Sequence, residues 1–237
     1  MNVLITGGSS GLGESITRKL AGETPGKVYF TYNRSEQKAH VLETEFQNAT
    51  AIHCDFTVEG SVNALVELIP DLDIAVLVNN AYTGSYIDTY FHKTPVADFS
   101  SGFKENILPT IALTQAAIKE FRKKKSGKII TILTAALVST PPIGSAVYVA
   151  NKAYLQELTR IWAVENAKYN ITSNSISPSF MLTGFTASID ERLVEQMKQN
   201  HPLLTTEEIA DRVLFLMNAT NEINGTNLII NSADNTR

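Results

Sequence analysis

The sequence predicts a single α/β domain, residues 1–237, built on one doubly wound parallel sheet of about seven strands with helices on both faces. Two observations lead there. Short β-branched apolar runs, bounded by Gly, Asn, Asp or Ser, alternate with segments of helical length and period. The runs are nearly continuous in apolar residues instead of alternating, as in strands covered on both faces. Composition agrees: 43% of the residues are hydrophobic and 19% charged, enough apolar material for a core. No repeat, low-complexity tract or linker interrupts the pattern.

The first run, Val3-Leu4-Ile5, enters Thr6-Gly7-Gly8-Ser9-Ser10-Gly11-Leu12-Gly13 and then a helix. Gly7, Gly11 and Gly13 permit a tight turn and close backbone approach. The helix N-terminus offers unpaired N–H groups and a positive dipole to a pyrophosphate. Position at the first strand-to-helix junction favours a dinucleotide cradle over a plain loop. The second run, Val28-Tyr29-Phe30, ends in Thr31-Tyr32-Asn33-Arg34-Ser35. An NAD site places a carboxylate here for the adenosine ribose. None is present. Arg34 can pair with a 2′-phosphate instead, with Asn33 and Ser35 as hydrogen-bonding neighbours. NADPH/NADP+ is therefore the expected cofactor and NADH/NAD+ the weaker fit; an exposed surface arginine is the plainer alternative.

The third run, Ala51-Ile52, precedes Asp55 and Phe56. Capping the next helix is one job open to Asp55, although Thr57 is better placed for it. Ile74-Ala75-Val76-Leu77-Val78 is the fourth run and leads into Asn79-Asn80-Ala81. A long helical stretch follows, from about Asp98 to Lys125. Its Pro109 has no N–H for the Glu105 carbonyl, which predicts a kink just after Asn106. The basic end, Arg122-Lys123-Lys124-Lys125, suits a helix C-terminus on a solvated face; an acidic carrier partner is the other user. The fifth run, Ile129 to Leu133, leads to Thr134-Ala135.

Tyr148 and Lys152 are one helical turn apart and share a face. A free tyrosine has a pKa of ~10. A nearby ammonium stabilises tyrosinate and lowers that value, which suits a group that gives a proton to a carbonyl oxygen during hydride delivery. Such a pair is common on helices, and its neighbours give it weight. The sixth run, Ile171 to Ile176, is followed by Pro178-Ser179-Phe180-Met181-Leu182-Thr183. From there to about Pro202, Phe185, Ile189, Leu193 and Met197 give an apolar face, for core packing or substrate contact. The seventh run is Leu228-Ile229-Ile230, before Asn231-Ser232-Ala233.

Twenty Lys+Arg against twenty-four Asp+Glu give a net charge of -4, against a whole-chain nucleic-acid footprint. No apolar run reaches the ~18 residues of a membrane span, and no secretory signal pattern opens the chain. The single cysteine, Cys54, excludes an internal disulfide framework, and His40, His53, His92 and His201 form no ligand-spaced cluster, so no metal site is expected. The expected location is cytoplasmic.

The TGxxxGxG spacing, Asn79-Asn80-Ala81, Asn106 and Tyr148-x-x-x-Lys152, in that order, resemble the short-chain dehydrogenase/reductase family across essentially the whole chain. Four ordered motifs are a specific signal. The resemblance implies a Rossmann-type fold, with Tyr148 as proton donor and Lys152 on the nicotinamide ribose. A substrate-orienting hydroxyl falls at Thr134, with Ala135 as the other match because the count to Tyr148 is one residue longer. Asn106 would hold, through its backbone in a distorted helix, a water linking the lysine to solvent. Cofactor contacts are implied for Gly7, Ser9, Ser10, Gly11, Leu12 and Gly13, for Asp55 and Phe56 near adenine, and for Asn80 and Ala81 by the adenosine ribose. Pro178, Met181 and Thr183 would serve the nicotinamide; Asn79 is structural.

The chain departs from the family at Tyr82 and Ser179, both glycine in relatives, at Thr134 for serine, and at Ser10, where some NADPH enzymes carry a basic residue. Asn231-Ser232-Ala233 stands where many acyl-carrier-protein reductases end in Asp-Gly-Gly. The implied activity is NADPH-dependent reduction of a ketone, in the manner of the 3-oxoacyl-acyl-carrier-protein reductases, on a carrier-protein- or CoA-bound 3-oxoacyl thioester. A reductase of another small ketone or sugar, or a non-catalytic partner of an active paralogue, are the alternatives. The resemblance also implies a homodimer or homotetramer joined through two long helices, here from about Asp98 to Lys125 and from about Ser145 to Tyr169.

Overall fold

In β1 (Val3–Ile5), neighbouring side chains point to opposite faces, as they must in a strand. Val3 and Ile5 enter one core with Ile16 and Leu20 of α1 (Gly11–Glu23) and Val213 of α7 (Thr206–Asn218). Leu4 enters a second core with Leu65 and Ile69 of α3 (Glu59–Leu72) and Leu113 and Phe121 of α5 (Leu108–Lys124). Both faces are thus covered, which is why the strands are apolar throughout. The computed structural model describes residues 1–186, 195 and 203–231.

The other strands are β2 (Val28–Tyr32), β3 (Ala49–His53), β4 (Val76–Asn79), β5 (Gly127–Ile132), β6 (Ile171–Pro178) and β7 (Asn227–Ile230). They form one seven-stranded sheet in the order β3-β2-β1-β4-β5-β6-β7, and every pairing is parallel. The chain runs outward from β1 to β3, then returns to place β4 on the other side of β1. Ligands of such sheets bind outside the carboxyl ends of the strands at this switch.

All seven expected strands form. Ile74 and Ala75 lie just before β4, and Leu133 just past β5. The expected kink takes a different form. α4 (Val96–Gly102) runs into one π-helical turn, Phe103–Ile107, and only then into α5. The Leu108 N–H bonds the Phe103 carbonyl, five residues back. Pro109 sits in the first turn of α5, where a missing N–H costs nothing. The Asn106 side chain donates to the Gly102 carbonyl at 2.9 Å, and the Thr110 hydroxyl donates to that of Asn106 at 2.7 Å.

The basic end of α5 is engaged within the fold. Arg122 donates to Asn166 at 2.7 Å and lies over the Tyr169 ring; Lys124 reaches the Ile74 carbonyl at 3.0 Å. On α6 (Ala146–Asn166), Trp162 is buried in the core, whereas Tyr154, Ile161 and Val164 are exposed.

Candidate active site

The turn after β1 is drawn tight from three sides. Gly7 adopts φ +66, and its N–H donates to the Thr31 hydroxyl at 2.8 Å. The Asn80 side chain donates to the carbonyls of Thr6 and Gly7 at 2.9 and 3.1 Å, while the Thr6 hydroxyl accepts the N–H groups of Asn80 and Ala81. A Cβ at Gly13 would stand 1.9 Å from the Gly7 carbonyl oxygen, so only glycine lets α1 start this close. Ser10, the N-cap of α1, makes no side-chain capping bond. The first N–H groups of α1 have no partner within the helix and open on a cleft of about 970 Å³.

The cleft runs from Arg34 and Lys38 at one end to Tyr148 and Lys152 at the other. Among the described residues its wall carries these three cations and no carboxylate, which suits a polyanionic ligand. A dinucleotide fits the residues present: a helix N-terminus for its pyrophosphate and cations for a terminal phosphate. Asn33, Ser35, Phe56, Ala81, Pro178, Met181 and Thr183 also lie on the wall. The Thr186 hydroxyl holds the turn after β6, donating to the Met181 carbonyl at 2.8 Å.

Asp55 is not on this wall. Its carboxylate accepts the Thr57 N–H and hydroxyl at 2.8 and 2.7 Å. These bonds, assisted by Asn33 and the Arg34 charge, hold its pKa below the usual carboxylate value. Neither Asp55 nor Thr57 caps α3; Val58 does, without a side-chain bond. Asn79 is buried and donates to Thr114 of α5 at 3.0 Å, a structural tie as expected.

At the other end, Thr134, Ala135 and Tyr148 all line the wall, and of the first two only Thr134 carries a hydroxyl. Thr134 caps the short 3-10 turn Ala135–Leu137 by accepting the Ala136 N–H at 3.3 Å. Tyr148 and Lys152 are both buried. Burial pushes the Tyr148 pKa well above its ordinary value, the nearby Thr134 hydroxyl opposes this, and Tyr86 and Tyr82 add to it. The expected lowering by the ammonium does not occur: Lys152 is not among the groups that act on the Tyr148 hydroxyl, and burial dominates. The Lys152 Nζ donates to the Ile132 carbonyl at 2.8 Å, and burial lowers its pKa to about 8. Asn106 is off the wall: its side chain accepts the Thr83 N–H at 2.6 Å and donates to the Thr83 carbonyl at 3.0 Å.

A family model described as short chain dehydrogenase matches residues 1–193. The chain belongs to this family. This short-chain dehydrogenase is 30% identical over 223 residues to the 3-oxoacyl-(acyl-carrier-protein) reductase FabG of Aquifex aeolicus (strain VF5), covering 90% of this chain and 88% of that one. It is 33% identical over 217 residues to FabG of Rickettsia bellii (strain RML369-C), covering 90% and 87%. Among solved structures, it superposes on a short chain dehydrogenase/reductase family protein with a TM-score of 0.87 at 31% identity, covering 100% of this chain and 98% of the other. NADP-bound ElxO gives a TM-score of 0.87 at 29% identity, covering 100% and 99%.

Sequence reasoning missed part of this dehydrogenase's cleft. Tyr82, Tyr86 and Phe185 surround Tyr148 with ring centroids 5.0, 5.1 and 5.7 Å away, and Phe180 stands 6.4 Å from Tyr86. Tyr82, Tyr86 and Phe180 come from loops with no periodic signal, whereas Phe185, read from the sequence as core packing or substrate contact, lies on the cleft wall. Lys38, one helical turn after Arg34, was the legible omission. Phe185 faces the cleft, while Ile189, Leu193, Met197, His201, Ser232 and Ala233 lie outside the described residues. Among the described residues, no cluster could hold a metal ion and no helix is long and apolar enough to cross a membrane.

Proposed function

We propose that the protein is an NADPH-dependent carbonyl reductase that converts a 3-oxoacyl thioester, on a carrier protein or CoA, to its 3-hydroxyacyl form. One observation carries the reading: Tyr148, Thr134 and buried Lys152 line the same cleft as the cations Arg34 and Lys38. A bound nicotinamide cofactor would supply the hydride. Tyr148 gives its proton to the ketone oxygen, and its raised pKa keeps that proton in place until negative charge develops there. Thr134 orients the same oxygen by hydrogen bonding. The Lys152 ammonium stabilises the tyrosinate that proton transfer leaves behind. Arg34, with Lys38 on the same wall, selects the 2′-phosphate. The FabG relatives support the choice of a 3-oxoacyl substrate.

A ketone panel that includes carrier- and CoA-bound 3-oxoacyl groups, followed through NADPH absorbance, tests the reading. Turnover of the 3-oxoacyl thioesters with NADPH preferred over NADH is expected. Turnover confined to a sugar or another small ketone would displace the substrate, and NADPH binding with no turnover of any ketone would favour a non-catalytic partner.

A further inference from the structure

We infer that the ring face of Tyr82 holds the Lys152 ammonium in its working position, a positioning role at a place where the motif resemblance implies glycine. The inference rests on the role given to Lys152 above. The Lys152 Nζ lies 5.2 Å from the Tyr82 ring centroid, within the ~6 Å over which a cation is attracted to an aromatic face. An ammonium has three donors, and one of them goes to the Ile132 carbonyl. Buried among rings, the charge needs a further partner, and Tyr82 supplies an aromatic face.

Tyr82 is itself held at several points. Its hydroxyl accepts from the Asn151 side chain of α6 at 3.4 Å. Before it, the Ala81 N–H is fixed by Thr6 at 3.0 Å; after it, both backbone groups of Thr83 are held by Asn106. Its ring meets those of Tyr148 and Phe185 edge-on at 5.0 and 5.7 Å. A side chain fixed at its tip, its ring and both flanking peptides is preorganised, so it can fix another group in turn. Asn106 therefore acts at one remove: it clamps the loop that carries the ring that holds the lysine.

The groups facing Lys152 are few. Tyr148 comes from its own helix, Tyr82 from the loop after β4, and the Ile132 carbonyl from β5. Burial lowers the Lys152 pKa, and among the described residues no carboxylate acts on it; the charge of Glu105, in the π turn, acts on Tyr82. With a pKa of about 8, the ammonium is only narrowly retained at neutral pH, and the ring face favours the charged form.

The test is the titration of Lys152 in the cofactor-free protein, read by NMR of carbon-13 at lysine Cε and assigned with Lys152→Met. Tyr82→Phe keeps the ring and should titrate as the wild type does. Tyr82→Leu and Tyr82→Met both lose the ring, so either serves if the other does not fold. Each should lower the midpoint by about 0.5–1.5 units, the range a cation–π contact supports. With a ketone substrate, the ringless variants should lose up to about fourfold in kcat at about pH 7 and about tenfold or more above about pH 8, with KM little changed. A midpoint unchanged or raised without the ring overturns the proposal. So does Tyr82→Phe falling with Tyr82→Leu, which would assign the job to the hydroxyl and Asn151. The titration needs no substrate, so its failure leaves the reductase reading standing, and failure of every ketone leaves the titration result intact.

Discussion

At Tyr148 two effects oppose each other: burial holds the proton on, and catalysis must take it off. Tyr148→Phe removes the hydroxyl and keeps the ring, so cofactor affinity should survive while reduction falls ~10²–10⁴-fold. Thr134→Val should cost ~10²–10³-fold and Thr134→Ser little, in the same NADPH assay. Full activity in Tyr148→Phe would end the assignment. Arg34→Ala should weaken NADPH far more than NADH in a fluorescence titration; equal losses would remove the 2′-phosphate role. Burial also links these groups to stability. Lys152 drops from an ordinary 10.5 to about 8, so between these values the unfolded chain binds a proton that the folded chain lacks. Stability of the cofactor-free protein should rise from about pH 8 upward. Tyr86, pushed up to about 12, and Tyr148, pushed up further, reverse the sign above about pH 10, where unfolded tyrosines ionise first. Urea unfolding across this range checks both limbs, and Lys152→Met should flatten the first. Of this site, the glycine turn and the Tyr148–Lys152 pair were legible because each lies within a few residues of chain. The ring cluster was not, because Tyr82, Tyr86, Phe180 and Phe185 meet only through tertiary folding.

At the scale of elements, the strands were legible because burial on both faces demands β-branched, uninterrupted apolar runs. Their ends were read less well, since Ile74, Ala75 and Leu133 are apolar but lie outside the strand bounds, although Ala75 and Leu133 still bond the backbone of neighbouring chain segments. Pro109 correctly signalled a break in the long helix but not its kind. A proline marks where N–H groups are dispensable, while a π turn depends on local backbone bonding that no residue type announces. Asn106 braces that turn with bonds to Gly102 and Thr83. Asn106→Ala should therefore cost on the order of 1–2 kcal/mol in chemical unfolding, by stranding half-buried backbone groups of Thr83 and Gly102. The junction of β1 and α1 is less forgiving. At Gly13 the obstructing atom is the Gly7 backbone carbonyl oxygen, not a side chain that can swing away. Gly13→Ala should destabilise by about 1–3 kcal/mol or more and abolish NADPH binding, because α1 must move off the turn.

For the whole molecule, the outer faces of the two long helices bear on assembly. Leu108, Tyr154, Ile161 and Val164 are exposed there, while Trp162 is spent on the core. A homodimer or homotetramer through these helices is the expected state in light scattering at micromolar concentration, and Val164→Asp should shift it toward monomer; a wild-type monomer would remove the expectation. The cleft has another molecular consequence. Its wall draws on residues from Gly7, after the first strand, to Asn231, after the last. A nascent chain thus lacks part of that wall until β7 has emerged from the ribosome, and the cofactor is expected to grip only the completed fold. Whatever free energy it then releases is added to the stability of the entire native state: about 2.7 kcal/mol for a ligand at a hundred times its Kd. The cell's own nicotinamide pool thereby becomes one of the determinants of how long this protein survives proteolysis.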